Sequence, residues 1–135
     1  MSSSSEPSLE FAFDHIHVFC TDLAASERWF VDGLGARLLR RRSVSGTPAC
    51  DVELAGTTIF LRGPRPGQVT ADDWPNLTGI NHLGLAVRDL DETARALKAR
   101  GIQFSVEPYQ LQPDLRIAFI TGPDDLRVEL LQRGS

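Results

Sequence analysis

The stretch Phe13-Asp14-His15-Ile16-His17-Val18-Phe19-Cys20-Thr21-Asp22-Leu23 recurs as Ile80-Asn81-His82-Leu83-Gly84-Leu85-Ala86-Val87-Arg88-Asp89-Leu90. His15 falls on His82, Asp22 on Asp89 and Leu23 on Leu90 at one constant offset, so the chain reads as an internal duplication. A module of this size buries too little apolar surface to stand alone, so the two copies are expected to pack together and share the cleft between them.

Working outward, Ile16, Val18 and Cys20 alternate with His15, His17 and Phe19, the period of a half-buried strand, which puts both histidines on one face. Thr21 or Asp22 can cap a helix through Leu23, Phe30 and Leu34, with Gly33 and Gly35 as its stop. Strands are expected at about 36–44, 50–54 and 57–61, the last following the Ala55-Gly56 turn. Residues 11–62 thus read as a βαβββ module. Residues 63–79, with Pro64, Pro66, Gly67, Pro75 and Gly79, hold too many breakers for a regular element and read as a linker. Residues 80–135 repeat the plan: a strand at 80–88, a helix capped by Asp89 with Glu92 in the capping-box position and Gly101 at its end, and strands near 102–106, 116–121 and 126–131. Leu90, Ala94 and Leu97 form that helix's buried stripe, and Glu129 on the last strand occupies the place of Phe60 in the first module. The fold class expected is α+β.

With 135 residues, 41% hydrophobic and 24% charged, the chain has the balance of one soluble globular domain. A net charge of −4 argues against nucleic acid as a partner, and no apolar run reaches membrane-spanning length. Residues 1–10 open Ser-rich, without a basic or an apolar signal region, and read as a disordered tail of a cytoplasmic protein. Cys20 and Cys50 form no Cys-x-x-Cys pair and read as buried free thiols. Arg40 and Arg42 point to one side of their strand and Arg41 to the other, so at most two can meet one anion, and a solvated strand face is the default.

Taken together, His15 with Asp22-Leu23, His82 with Asp89-Leu90, and the ending Phe119-Ile120-Thr121-Gly122-Pro123-Asp124-Asp125-Leu126-Arg127-Val128-Glu129-Leu130 resemble the vicinal oxygen chelate superfamily, which includes glyoxalase I, bleomycin-resistance proteins and extradiol dioxygenases. The resemblance covers residues 13–132. It implies two βαβββ modules rolled into a half-barrel cup, a divalent metal ion (Fe, Mn, Co, Ni or Zn) held by His15, His82 and Glu129, a small-molecule substrate and a homodimer. The family's common fourth ligand falls on Phe60, which has no donor atom, so coordination sites are left for substrate oxygens.

Either histidine alone would read as a hydrogen-bonded structural residue, but only 3 are present and two of them match across the repeat. His17 shares its face with His15 while Gly84 stands at the equivalent place, so His17 is the first candidate for general base, with a structural or ligand-supporting role as the alternative. Glu129 is a second candidate base. Phe60, Glu53, Tyr109 and Arg116 are candidate substrate contacts. Asp51 and Glu53 both face the cup by alternation, where solvated positions near the rim are the simpler reading. The function implied is a lyase, isomerase or epimerase working on a small oxygenated carbonyl compound through a metal-chelated enolate. The alternatives are an extradiol-type dioxygenase, weakened by Phe119 where that pattern has Tyr, and a non-catalytic antibiotic-binding protein.

Overall fold

The computed structural model describes residues 9–68 and 79–134. All but residues 9 and 10 of the expected tail, and most of the expected linker, lie outside the described residues. The first module runs β1 (His15–Phe19), α1 (Leu23–Arg28), a π-helical turn (Trp29–Gly33), β2 (Arg37–Val44), β3 (Thr47–Leu54) and β4 (Thr57–Arg62). The second runs β5 (Leu83–Ala86), α2 (Leu90–Ala99), β6 (Gln103–Gln112), β7 (Leu115–Thr121), a short 3-10 turn (Pro123–Asp125) and β8 (Arg127–Arg133). Each module forms one four-stranded sheet, ordered β1-β4-β3-β2 and β5-β8-β7-β6, with its first strand at an edge and parallel to its last. The fold is α+β and duplicated.

The same local chemistry starts both helices. The Asp22 carboxylate accepts from the Ala25 amide at 3.1 Å and the Asp89 carboxylate from the Glu92 amide at 3.0 Å, each satisfying one of the N–H groups a helix start leaves open. The first helix departs from the single helix expected, because α1 ends at Arg28 and continues as a π-helical turn that buries Phe30. The β2–β3 and β3–β4 hairpins close on Ser45-Gly46 and Ala55-Gly56, all four with positive φ (52°, 78°, 52° and 81°), the two-residue turn whose twist suits a hairpin. The strand expected at 102–106 extends to Gln112 because Pro108 sits at a register irregularity on an edge strand, where its missing N–H leaves no partner unpaired.

One apolar cluster lies under each sheet. Phe30, Cys50, Val52, Ile59 and Leu61 centre the first, and Leu90, Leu97, Ala118, Ile120 and Leu130 the second. Full burial of a side chain such as Phe30 or Leu90 stabilises by roughly 2–3 kcal/mol. Trp29, Leu34 and Leu126 pack against both clusters and join the modules. Gly122 is required at that seam: a Cβ there would stand 2.8 Å from the Trp29 ring. The Arg100 guanidinium donating to the Gly33 carbonyl at 3.0 Å and the Thr21 amide donating to Asp124 at 3.0 Å cross the same seam. Among the described residues no helix is long and apolar enough to cross a membrane.

Candidate metal and substrate site

In the second module, β5 lies parallel to β8 with Gly84 opposite Glu129, which brings His82, one residue before β5, to the carboxylate. His82 Nε2 stands 3.1 Å from Glu129 Oε1, and Nδ1 stands 2.7 Å from Asn81 Oδ1. With the Asn81 amide so placed, a neutral imidazole spends its one proton on Nδ1, and the Nε2 lone pair then faces a carboxylate. An Nε2–H would make this contact an ordinary hydrogen bond, whereas with the proton on Nδ1 the two acceptor atoms are placed to share a metal ion. Ligand atoms about 2.1 Å from one ion and at right angles stand about 3.0 Å apart, so the donor pair suits a first-row metal. Phe119 presents its ring edge-on to His82, centroids 5.0 Å apart, and carries no hydroxyl.

In the first module the matching histidine is built alike: His15 Nδ1 lies 2.7 Å from the Asp14 carboxylate. Its companion differs. Phe60 stands opposite His17 in the β1–β4 register, as Glu129 stands opposite Gly84, and its ring stacks on His15. An imidazole–phenyl pair thus occupies the place of the imidazole–carboxylate pair. Among the described residues no three His, Cys, Asp or Glu side chains gather closely enough to hold a metal ion. The single chain therefore does not bring His15 to His82 and Glu129.

His17 lies on the same face, its ring 6.2 Å from His15, 6.0 Å from Phe60 and 4.8 Å from Phe19. Its pKa is held below the ordinary histidine value by burial and then by the positive field of Arg62, with smaller contributions from His15, Arg42 and Arg65, so the ring is neutral and can accept a proton. A cavity of about 300 Å³ in the seam is lined by His17 and Val18 from one module and by His82 and Leu83 from the other.

The structure places several expected positions differently. Asp51 is not a solvated rim carboxylate: it is 1% exposed, because Arg40 and Arg42 close over it at 2.8 and 3.0 Å. The arginine run is correspondingly not a free strand face, and Arg41 on the other side pairs with Glu27 at 2.7 Å. Arg116 shares its face of β7 with Ala118 and Ile120, which pack on α2, and pairs there with Asp91 at 3.0 Å, so it points away from the cup. Tyr109, opposite Ile117 and hence on the cup side, is 43% exposed, and Glu53 pairs with Arg37 at 3.0 Å near the sheet edge. Arg62 and Arg65, absent from the sequence reading, lie over Phe19 at 6.0 and 4.7 Å from its ring. The signal for Arg62 was its parity, two residues beyond Phe60 on one strand.

The family model of the Glyoxalase/Bleomycin resistance protein/Dioxygenase superfamily matches residues 12–130. The chain belongs to this superfamily. It is 28% identical over 123 residues to the uncharacterized protein YwkD of Bacillus subtilis, covering 88% of this chain and 94% of that one. It is 30% identical over 130 residues to a probable chloroplastic lactoylglutathione lyase of Arabidopsis thaliana, covering 89% of this chain but only 35% of that protein. Among solved glyoxalase-superfamily structures, the glyoxalase family protein of Bacillus cereus superposes with a TM-score of 0.78 at 18% identity, covering 98% of this chain and 100% of the other. The fosfomycin resistance protein FosX of Listeria monocytogenes, solved with Mn(II) and sulfate, gives 0.68 at 16% identity, covering 92% and 93%. At those identities the likeness is one of fold.

Proposed function

We propose that this chain is a metal-dependent lyase, isomerase or epimerase acting on a small oxygenated carbonyl compound, with His82 and Glu129 holding a divalent ion and His15 completing the ligand set from a second copy. The observation that carries this reading is the 3.1 Å approach of His82 Nε2 to Glu129 Oε1, with Nδ1 already engaged by Asn81. The metal-bound FosX and the lyase named among the relatives agree in kind. Nitrogen and carboxylate donors of this sort suit Fe, Mn, Co, Ni or Zn.

A divalent ion bound there supplies a Lewis acid for two neighbouring substrate oxygens, which lowers the cost of removing an adjacent proton. The chain's own residues do the rest. His17, neutral and on the His15 face, takes the proton. Phe60 offers no donor atom and walls the site with an apolar ring beside His15. Phe119, without a hydroxyl beside His82, counts against ring-cleaving oxygenation.

Second-copy supply of His15 is supported by the absence of a three-ligand group among the described residues, and by large apolar side chains left uncovered where each module begins: Phe11 and Ile80 are each 91% exposed and Phe13 is 78% exposed. Mixing His15→Ala chains with His82→Ala chains tests it. If the site forms across copies, each mixed dimer regains one intact set, so metal absent from either variant alone returns on mixing, as read by elemental analysis after gel filtration. Wild-type protein that takes up no stoichiometric metal would favour the second reading, a non-catalytic small-molecule binder, for which the lack of a three-ligand cluster among the described residues speaks.

A further inference from the structure

We infer that the first-module face of this site recognises an anionic oxygen group of its ligand, a carboxylate or a phosphate, through Arg62 and Arg65 beside Phe19. The inference deepens the proposed function, since it rests on the cup being a substrate site, and it names the charge the substrate must carry.

The arginines around this sheet divide into two sets. Arg37, Arg40, Arg41 and Arg42 all have carboxylate partners, in Glu53, Asp51, Glu27 and Asp51 respectively. Arg62 and Arg65 have none among the described residues. Arg62 stands opposite Phe19 in the β1–β4 register, on the face that carries His15, His17 and Phe60. One of its nitrogens donates to the Val44 carbonyl at 3.3 Å, which anchors the guanidinium, while Nε is buried and has no hydrogen-bond partner among the described residues. A buried guanidinium N–H without an acceptor is costly unless a ligand supplies one.

Arg65 is fixed by its own turn. The Gln68 side chain accepts from the Arg65 amide at 3.0 Å and the Gln68 amide donates back to the Arg65 carbonyl at 3.4 Å. Pro66 and Gly67, the latter at φ 85°, are the residues this turn shape selects at its second and third positions. The side chain so placed lies over the Phe19 ring at 4.7 Å, and Arg42 lies over Phe60 at the same distance, 4.7 Å. Two rings therefore form an apolar floor, with cationic groups around it and Asp51 already neutralised by its own pair. This is the composition of a site for an anion borne on an apolar body. Phe19 lies four residues along β1 from His15, about 13 Å at strand spacing, so the anionic group would sit at the end of the ligand remote from the metal ligand.

The test is equilibrium binding to the full chain stripped of metal with a chelator, using phenyl phosphate, benzoate and uncharged benzyl alcohol as probes. Phenyl phosphate or benzoate should bind, weaken as salt is raised, and exceed benzyl alcohol; the tighter of the two identifies phosphate or carboxylate as the group. Arg65→Gln, an exposed position whose loss leaves the fold intact, should weaken the anion a few-fold. The double variant Arg62→Met, Arg65→Gln should weaken it by about tenfold or more, as expected on losing charge-assisted bonds, while Arg62→Lys retains part of the affinity and the remote Arg95→Gln retains all of it. Failure of both anions to bind, benzyl alcohol binding equally well, or affinity unchanged in Arg65→Gln and the double variant would each overturn the inference. Because the probes are read on metal-free protein, failure here leaves the His82–Glu129 reading standing, and loss of that reading in the mixed-chain experiment leaves this one standing.

Discussion

Phe60 lies flat on His15, ring centroids 3.9 Å apart and 21° between planes, where the duplicated position in the second module sets Glu129 against His82. One copy of the module thus keeps a donor atom beside its histidine and the other replaces it with a hydrocarbon wall. Phe60→Glu should restore an acid at that place. Because Phe60 is half-buried on the histidine face and not in the core under the sheet, and Arg42 lies over it, the new carboxylate gains a cationic neighbour. We expect thermal unfolding to change by only a few degrees and metal affinity to rise. A collapse in stability without tighter metal would show that Phe60 serves packing alone.

Glu129→Gln keeps volume but removes the charged donor beside His82. Metal content after dialysis should fall by about tenfold or more while the far-ultraviolet circular dichroism stays that of the wild type. Equal metal in both proteins would remove Glu129 from the site.

Asp51→Asn should be among the more damaging single changes in the first module. It leaves the Arg40 and Arg42 guanidiniums close together around a buried neutral amide. Arg40 is 64% exposed, so solvent screens part of the loss, and a destabilisation of about 2 kcal/mol is expected, below the range for a fully buried pair. Urea unfolding measures it; a change within 0.5 kcal/mol, roughly what an ordinary surface substitution gives, would mean the pair is decorative.

The Glu27–Arg41 pair makes stability depend on acid. Arg41 donates to Glu27 and holds its carboxyl below the ordinary value of 4.5. A group with a depressed folded pKa binds protons more readily when unfolded, so its contribution is present above the unfolded value and fades as pH falls through the folded one. The melting temperature of the wild type should therefore exceed that of Glu27→Gln at pH 6, and the gap should narrow below about pH 4.5. A gap that stays constant down to pH 3 would contradict the pairing.

Neither cysteine should react with alkylating reagents in the folded protein. Burial raises both thiols, Cys50 to about 12 with Glu27 adding to the effect, so almost no thiolate exists near pH 8. Mass spectrometry after iodoacetamide should find both residues unmodified until denaturant is added. Rapid labelling of Cys50 in native protein would show that the sheet opens locally.

The sequence by itself determined the duplication, the α+β class, the caps at Asp22 and Asp89, and the placing of His15, His17 and Phe60 on one strand face. Each of these is written in local spacing: a period of two for strands, an aspartate before a helix, a constant offset between copies. Tertiary structure decided what local spacing does not encode. Alternation put Asp51 on the cup face but could not say that Arg40 and Arg42 would bury it, because that depends on register between β2 and β3. Arg116 looked available until α2 folded over its face and supplied Asp91. Arg62 became notable only when β4 paired with β1 and set it opposite Phe19. The parting of His15 from His82 and Glu129 is of the same kind: the repeat fixes which residues correspond, while the packing of one module on the other, through Trp29, Leu34 and Leu126, fixes which of them meet within one chain.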